Sequence, residues 1–147
     1  MTTFRDVMTG DHRQCDAFFV AVETALNETR WDQAIAAFAA YERAMLRHFR
    51  AEENLLFPEF ENRTGMRMGP TQVMRNEHAQ MRELLEAAAA ALQAQDAEDY
   101  SGYAETLLIM MQQHNMKEEN VLYPMCDSHI GDTSAVLLPR VEAVLKS

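Results

Sequence analysis

The chain has 147 residues, the usual size of one domain, and its 48% hydrophobic and 24% charged residues are typical of a globular protein. The net charge of −10 argues against nucleic acid and anionic membrane as partners. The longest apolar run, Ala87–Leu92, is far shorter than the roughly 20 residues that cross a bilayer, and residues 1–13 lack the apolar core of a secretory signal.

Chain breakers mark the first half of the sequence. Gly10 precedes the first periodic stretch, and we expect Thr9 or Asp11 to be its N-cap. A weaker break lies at Asn27–Trp31, and Asn62–Pro70 is predicted to be a loop because it combines two glycines with a proline.

Similar signals divide the second half. Gln95–Gly102 is polar and turn-like, Gly131 follows the last long stretch, and Asp132–Ser134 can cap a short terminal helix. We therefore predict long helices over 11–28, 31–61, 71–94 and 99–125, and a short fifth helix near 135–146. Short connections favour antiparallel neighbours, so the predicted fold is all-α, an up-down-up-down four-helix bundle forming a single domain over 1–147, with residues 132–147 as its C-terminal helical extension.

Ionisable side chains interrupt the apolar stripes of these predicted helices. Burying such groups is costly unless they find partners, so they are expected to satisfy one another or a ligand. The set is His12, His48, Glu52, His78, His114 and Glu118.

An internal repeat with an offset of 66 residues relates these positions. The two related fragments read HFRAEENLLFP and HNMKEENVLYP. The offset maps His12 to His78, His48 to His114, Glu52 to Glu118, Glu53 to Glu119, Phe57 to Tyr123 and Pro58 to Pro124. Each half therefore reads as one helical hairpin.

The spacing of the histidines predicts that all four reach one layer of the bundle. Residues equidistant from a turn lie at the same height in an antiparallel pair, and the midpoints of successive histidines, residues 30, 63 and 96, all fall in predicted breaks. Each glutamate follows its histidine by four residues, about 40° of rotation on a helix, so each pair shares a face.

Four imidazoles and two carboxylates in one layer predict a metal site. Mixed nitrogen and oxygen donors suit iron, manganese or zinc, but six side chains are too many for one tetrahedral zinc. They suffice for two metals with two histidines each and both carboxylates bridging. An oxo or hydroxo bridge adds a further donor and leaves a position open to a small ligand.

These residues and spacings resemble the hemerythrin family, specifically the bacterial hemerythrin-like HHE cation-binding domains, over about residues 8–126. The resemblance implies a non-haem di-iron centre in a four-helix bundle, and ligands such as dioxygen, nitric oxide or peroxide. The matching pattern is His12, His48-x-x-x-Glu52, His78 and His114-x-x-x-Glu118.

The chain departs from the oxygen-carrying members of the family. Met74 stands where they have the first histidine of a third-helix H-x-x-x-H, so one metal has a ligand fewer. Oxygen carriers place a carboxylate five residues after the last histidine. We favour Glu118 over Glu119 here, because Glu119 is rotated by about 140° from His114 towards a supporting or solvent-facing position. We therefore expect a more open, oxidation-prone or exchangeable centre.

The function predicted from this resemblance is binding or sensing of a small ligand at the di-iron centre, in a chain that is not a dedicated enzyme. Two alternatives stay open: a redox enzyme acting on peroxide or nitric oxide, and an iron store or donor. Zinc or manganese at the same donors, or a duplication that has lost its metal, are further alternatives. The oligomeric state is left open. The apolar surround is predicted to contain Phe18 or Phe19, Met45, Phe49, Met111 and Leu122.

Other residues are predicted to be structural. Two cysteines, Cys15 and Cys126, are too few for a disulfide framework and too far apart to pair, so we expect buried thiols and a cytoplasmic location. Tyr41 and Tyr123 are expected to pack, and His129 is expected to be exposed at a helix end.

Overall fold

The computed structural model describes residues 2–147, and the regular elements of this part of the chain are all helical. The predicted all-α bundle is confirmed. The α-helices are α1 (Phe4–Asn27), α2 (Trp31–Ala51), α3 (Phe57–Thr64), α4 (Pro70–Gln93), α5 (Ala97–Lys117), α6 (Tyr123–Ile130) and α7 (Ser134–Leu145). A π turn continues α2 into α3 and another continues α5 into α6, so the bundle consists of α1, α2–α3, α4 and α5–α6. No described helix is long and apolar enough to span a membrane.

The first helix begins at Phe4, earlier than the sequence pattern predicts. Thr3 caps it: the Thr3 hydroxyl accepts from the backbone N–H of Asp6 and the Thr3 N–H donates to the Asp6 carboxylate, both at 3.0 Å. Gly10 lies inside this helix, with no other residue close to the position of a Cβ atom, and it does not interrupt the helix. The prediction that Thr9 or Asp11 caps this helix is wrong, because the Thr3–Asp6 capping box already satisfies the first turn.

The two predicted connections in the middle of the chain are shorter than expected. The helical segment that begins as α2 continues to Thr64 and ends at Gly65, whose φ of 75° is adopted most easily by glycine, while Pro70 already opens α4. The polar turn ends at Asp96, whose side chain accepts from the Asp99 N–H and starts α5, so Gly102 is helical.

A π turn follows each of the two buried glutamates, over Glu52–Leu56 and Glu118–Leu122. The N–H of Phe57 reaches the carbonyl of Glu52, five residues back, and the N–H of Tyr123 reaches that of Glu118 in the same way. A proline follows each turn. It has no N–H and its ring clashes with the carbonyl four residues earlier, so the chain relaxes into one wide turn. The uninterrupted helices predicted over 31–61 and 99–125 therefore each contain a π turn.

Two apolar clusters fill the bundle. The larger extends towards the α1–α2 and α4–α5 connections and includes Phe19, Tyr41 and Met111. The second, which includes Phe57 and Leu122, lies at the other end and is covered by α7.

The predicted fifth helix is present as α7. It buries Leu137, Leu138 and Val141 in the second cluster, and leaves Val136 71% exposed. No side-chain cap starts this helix; a short 3₁₀ turn, Gly131–Thr133, leads into it instead.

Candidate metal centre

The structure brings all six predicted residues into one buried layer. Their exposed fractions run from 0% to 5%. They form two groups whose possible ligand atoms lie within 4.8 Å of one another, and Glu118 belongs to both groups. The groups are Glu52, His78, His114 and Glu118, and His12, His48 and Glu118.

His48 and His114 each lie in the last turn of an α-helix, and the glutamate four residues later opens the π turn that follows, so each pair shares a face. The Nε2 of His114 is 3.2 Å from Oε1 of Glu118, and the Nε2 of His48 is 3.5 Å from Oε1 of Glu52. Glu118 lies inside the buried layer, whereas the side chain of Glu119 is 30% exposed and contacts the outer nitrogen of His12.

Each glutamate also reaches across the bundle. Oε1 of Glu52 is 3.1 Å from Nε2 of His78, and Oε1 of Glu118 is 3.1 Å from Nε2 of His12. Each carboxylate therefore contacts one histidine of the His12–His48 pair and one of the His78–His114 pair. Such a position between two nitrogen pairs is what a bridging carboxylate requires.

Several of these atoms lack hydrogen bonds although they are buried. Within the described residues, Oε1 of Glu52, Oε2 of Glu118 and the Nε2 atoms of His78 and His114 have no partner in hydrogen-bond geometry. Close approaches such as the 3.1 Å between His78 and Glu52 therefore do not satisfy them. Unsatisfied buried polar atoms are costly, and a metal cation bound among them would satisfy all four. The donor set therefore fits a metal.

The outer nitrogen of every histidine is held by a carboxylate. The Nδ1–oxygen distances are between 2.7 and 2.8 Å. Because Nδ1 is occupied in this way, Nε2 faces the centre of the layer, the arrangement that orients histidines bound to metals. The pairs are His12 with Glu119, His48 with Asp11, His78 with Glu53, and His114 with Glu77.

Sequence reasoning left Glu119 either supporting or solvent-facing, and missed Asp11, Glu53 and Glu77 as partners of the histidines. A signal for them exists, because the same offset of 66 relates Asp11 to Glu77 and Glu53 to Glu119.

The two histidine pairs differ in the charge around them. Burial would raise the pKa of Glu53, but hydrogen bonds from His78 and Arg82 outweigh it and lower the pKa to about 2. Arg82 donates twice to this carboxylate, at 2.8 and 3.0 Å. Lys117 contacts Glu77 in a similar role. Within residues 2–147, neither Asp11 nor Glu119 has a lysine or arginine at salt-bridge distance.

Tyr123 lies inside the layer, so the packing role predicted for it is incomplete. Its hydroxyl is 2.7 Å from Oε2 of Glu52 and 2.9 Å from Oε1 of Glu118, and 3.2 Å from the Nε2 atoms of His12 and His48. Burial and the two carboxylates raise the pKa of this phenol well above its usual value, so it stays protonated and donates. The signal in the sequence is that Tyr123 replaces Phe57 of the other repeat.

A family model described as the hemerythrin HHE cation-binding domain matches residues 3–126. The chain belongs to this family. A search of curated proteins and a search of solved structures found no match. The part of the chain matched to the hemerythrin HHE domain contains all six residues of the buried layer and the four carboxylates that support them, whereas α7 lies beyond it.

In this hemerythrin HHE domain, Met74 is buried in the second apolar cluster, one turn from His78, and packs beside the centre. Cys15 and Cys126 are buried free thiols, as expected. Burial raises the pKa of Cys15 to about 12, so it stays a neutral thiol. His129 is exposed at the end of α6, as predicted.

Proposed function

We propose that this hemerythrin HHE domain holds two iron ions in the buried layer and binds a small ligand there, either dioxygen, nitric oxide or peroxide. The observation that carries the proposal is the position of Glu52 and Glu118, each of which contacts both histidine pairs. One metal would be held by His12 and His48, the other by the second histidine pair, and both carboxylates would bridge.

Two further features support iron at this place. Mixed imidazole and carboxylate donors suit iron, and iron supplies electrons that a small oxidising ligand accepts. With both glutamates bridging, each metal would have two histidines and two carboxylates. Four protein donors at each metal would leave a coordination position open to a small ligand.

The chain's own residues orient the donors and exclude water. The outer carboxylates fix the imidazole rings through Nδ1, and the Tyr123 hydroxyl donates to both bridging carboxylates. The Phe49 ring stacks on His78 at 4.1 Å between centroids. The surround predicted from the sequence contributes Phe19 and Met111 from the larger cluster. Because the centre is enclosed, it favours a diatomic ligand or one of the size of peroxide. The enclosure also favours binding of such a ligand over turnover of a larger substrate.

The test is the metal content and absorption spectrum of protein loaded with Fe(II) without oxygen and then exposed to air. About two irons per chain, with charge-transfer bands on exposure, are expected. Bands that reverse on removing oxygen indicate reversible binding, and bands that end in a stable oxidised form indicate sensing or redox chemistry. Absence of iron uptake by the metal-free protein would exclude the di-iron proposal.

Matched variants separate the centre from other histidines. His114→Ala is expected to reduce iron content, because it removes a buried donor. His129→Ala removes an exposed histidine outside the layer and is expected to leave iron content unchanged. Equal iron content in the two variants would contradict the ligand assignment.

A further inference from the structure

A groove runs between α1 and α5 beside the buried layer. We call it the α1/α5 groove; its volume is about 610 Å³. Its floor includes the buried Phe19 and Met111, and its rim includes Val20 and Met116, which are 59% and 61% exposed. Glu119 lines the end nearest the metal layer. The groove therefore joins solvent to the edge of the layer along an apolar floor.

Glu119 connects the groove to the centre directly. Its Oε2 accepts from Nδ1 of His12 at 2.7 Å. His12 is also the most exposed of the six residues of the layer, at 5% against 2% or less for the others. A molecule in this groove is thus separated from the His12–His48 position by one imidazole and one carboxylate.

Arginine side chains lie over the repeat-related face of the bundle, which we call the sealed face. There, Arg82 donates twice to Glu53, and its guanidinium lies 5.3 Å from the centroid of the Phe49 ring. A second arginine, Arg75, lies over Phe57 at 5.6 Å. These contacts cover the approach to His78.

The offset of 66 shows what changes in the groove. Asp16 stands where the sealed face has Arg82, and Asn115 stands where it has Phe49. Both residues line the groove. Burial raises the pKa of Asp16, His12 lowers it, and the neighbouring Glu119 carboxylate adds to the rise. On the sealed face, an arginine pairs with a carboxylate beside an aromatic ring. In the groove, the equivalent positions hold two carboxylates and an asparagine amide.

We propose that the α1/α5 groove is the entry route by which a small uncharged molecule reaches the His12–His48 metal position, passing beside Glu119. The apolar floor suits such a molecule, while the carboxylates of Asp16 and Glu119 disfavour anions. This inference rests on the proposed function, because it requires a ligand that binds at the metal.

The test uses two neighbouring glutamines of α5. Both are exposed, but only Gln112 lines the groove, so Gln112→Trp fills it and Gln113→Trp is the matched control. Iron-loaded, reduced protein is mixed rapidly with nitric oxide, and the association and dissociation rates are followed by absorbance. Gln112→Trp is expected to slow both rates roughly tenfold and leave the dissociation constant unchanged, since a route is used in both directions.

A second variant copies the sealed face. Asp16→Arg combined with Asn115→Phe introduces an arginine and an aromatic ring beside Glu119. This variant is expected to slow the association and dissociation of nitric oxide in the same way. Rates in Gln112→Trp equal to those in Gln113→Trp would overturn the entry route, as would slowing accompanied by an altered dissociation constant, which indicates a distorted centre. Failure of the unaltered, iron-loaded protein to bind nitric oxide, dioxygen or peroxide would instead overturn the proposed function itself, and the entry route with it.

Discussion

One hydroxyl group distinguishes the two halves of the buried layer. Tyr123 donates to Glu52 and Glu118, whereas its repeat partner Phe57 offers only a ring, stacked 6.0 Å from that of His78. The phenol oxygen lies beside His12 and His48. It is therefore closer to the metal position of this pair than to that of the other histidine pair. The two positions are therefore chemically different although their histidines are related by the repeat.

Replacing this tyrosine tests the difference. Tyr123→Phe removes the hydroxyl and keeps the ring, so the two carboxylates lose their donor. Because groups that support metal ligands commonly contribute 10- to 100-fold to affinity, we expect the weaker of two metal-binding steps to lose about tenfold. A titration of the metal-free protein with Co²⁺, followed by absorbance, measures both steps.

The matched control is Tyr41→Phe. Tyr41 is equally buried, but its hydroxyl donates to Met111 within the larger apolar cluster. We expect it to leave both steps unchanged. Equal losses in the two variants would mean that Tyr123 acts through packing alone.

Metal binding at these histidines should release protons. Burial opposes protonation of His114, but the Glu118 carboxylate outweighs it and raises the pKa of His114 to about 9. The pKa values of His48 and His78 are raised through their contacts with Glu52, against the effect of burial. His114 therefore carries a proton at pH 7 in the metal-free protein, and the raised pKa values of His48 and His78 act in the same direction, so a metal must displace protons to bind.

The sign of the pH dependence follows directly. Metal affinity is expected to rise with pH and to level off above about 9, where the imidazole of His114 is already neutral. Calorimetric titration with Zn²⁺ in two buffers of different ionisation enthalpy counts the protons released. A heat that does not depend on the buffer at pH 7 would contradict the prediction.

At the scale of elements, the π turns show where helical periodicity stops being informative. The pattern of apolar and ionisable residues predicts the helix that carries Glu52 and the helix that carries Glu118, because both glutamates stay on the faces of their histidines. A single wide turn hardly disturbs that pattern. The prolines at positions 58 and 124 are the visible sign, since each follows a hydrogen bond that spans five residues.

The contribution of α7 can be measured with two of its valines. Val141 is fully buried in the second apolar cluster, and Val136 is 71% exposed on the same helix. Val141→Ala is expected to lower the free energy of unfolding by about 2 kcal/mol, because it removes two buried methyl groups and leaves a cavity.

Val136→Ala is the control, and a change below about 0.5 kcal/mol is expected for this surface site. Urea denaturation of the metal-free protein measures both values. Similar values for the two valines would show that α7 adds little to the stability of the bundle end.

At the scale of the whole molecule, the sequence predicts the bundle and the buried layer because one offset relates both halves. The start of α1 was predicted too late, since Gly10 is tolerated inside a helix whose first turn is capped at Thr3. The three missed outer carboxylates stand out among the 23 acidic residues only through the offset of 66, because spacing to a histidine does not select them. Only the packing of neighbouring helices decides which acid meets which Nδ1.

The repeat explains how the two related faces of the bundle can differ from each other. If two identical hairpins paired as separate chains, every substitution would occur in both of them. An arginine that covers one face would then also cover the related face. Joining the hairpins in one polypeptide frees each half to change alone. Arg82 in one half and Asp16 in the other are an example of this freedom: the histidines of both halves are kept, while the surfaces beside them differ.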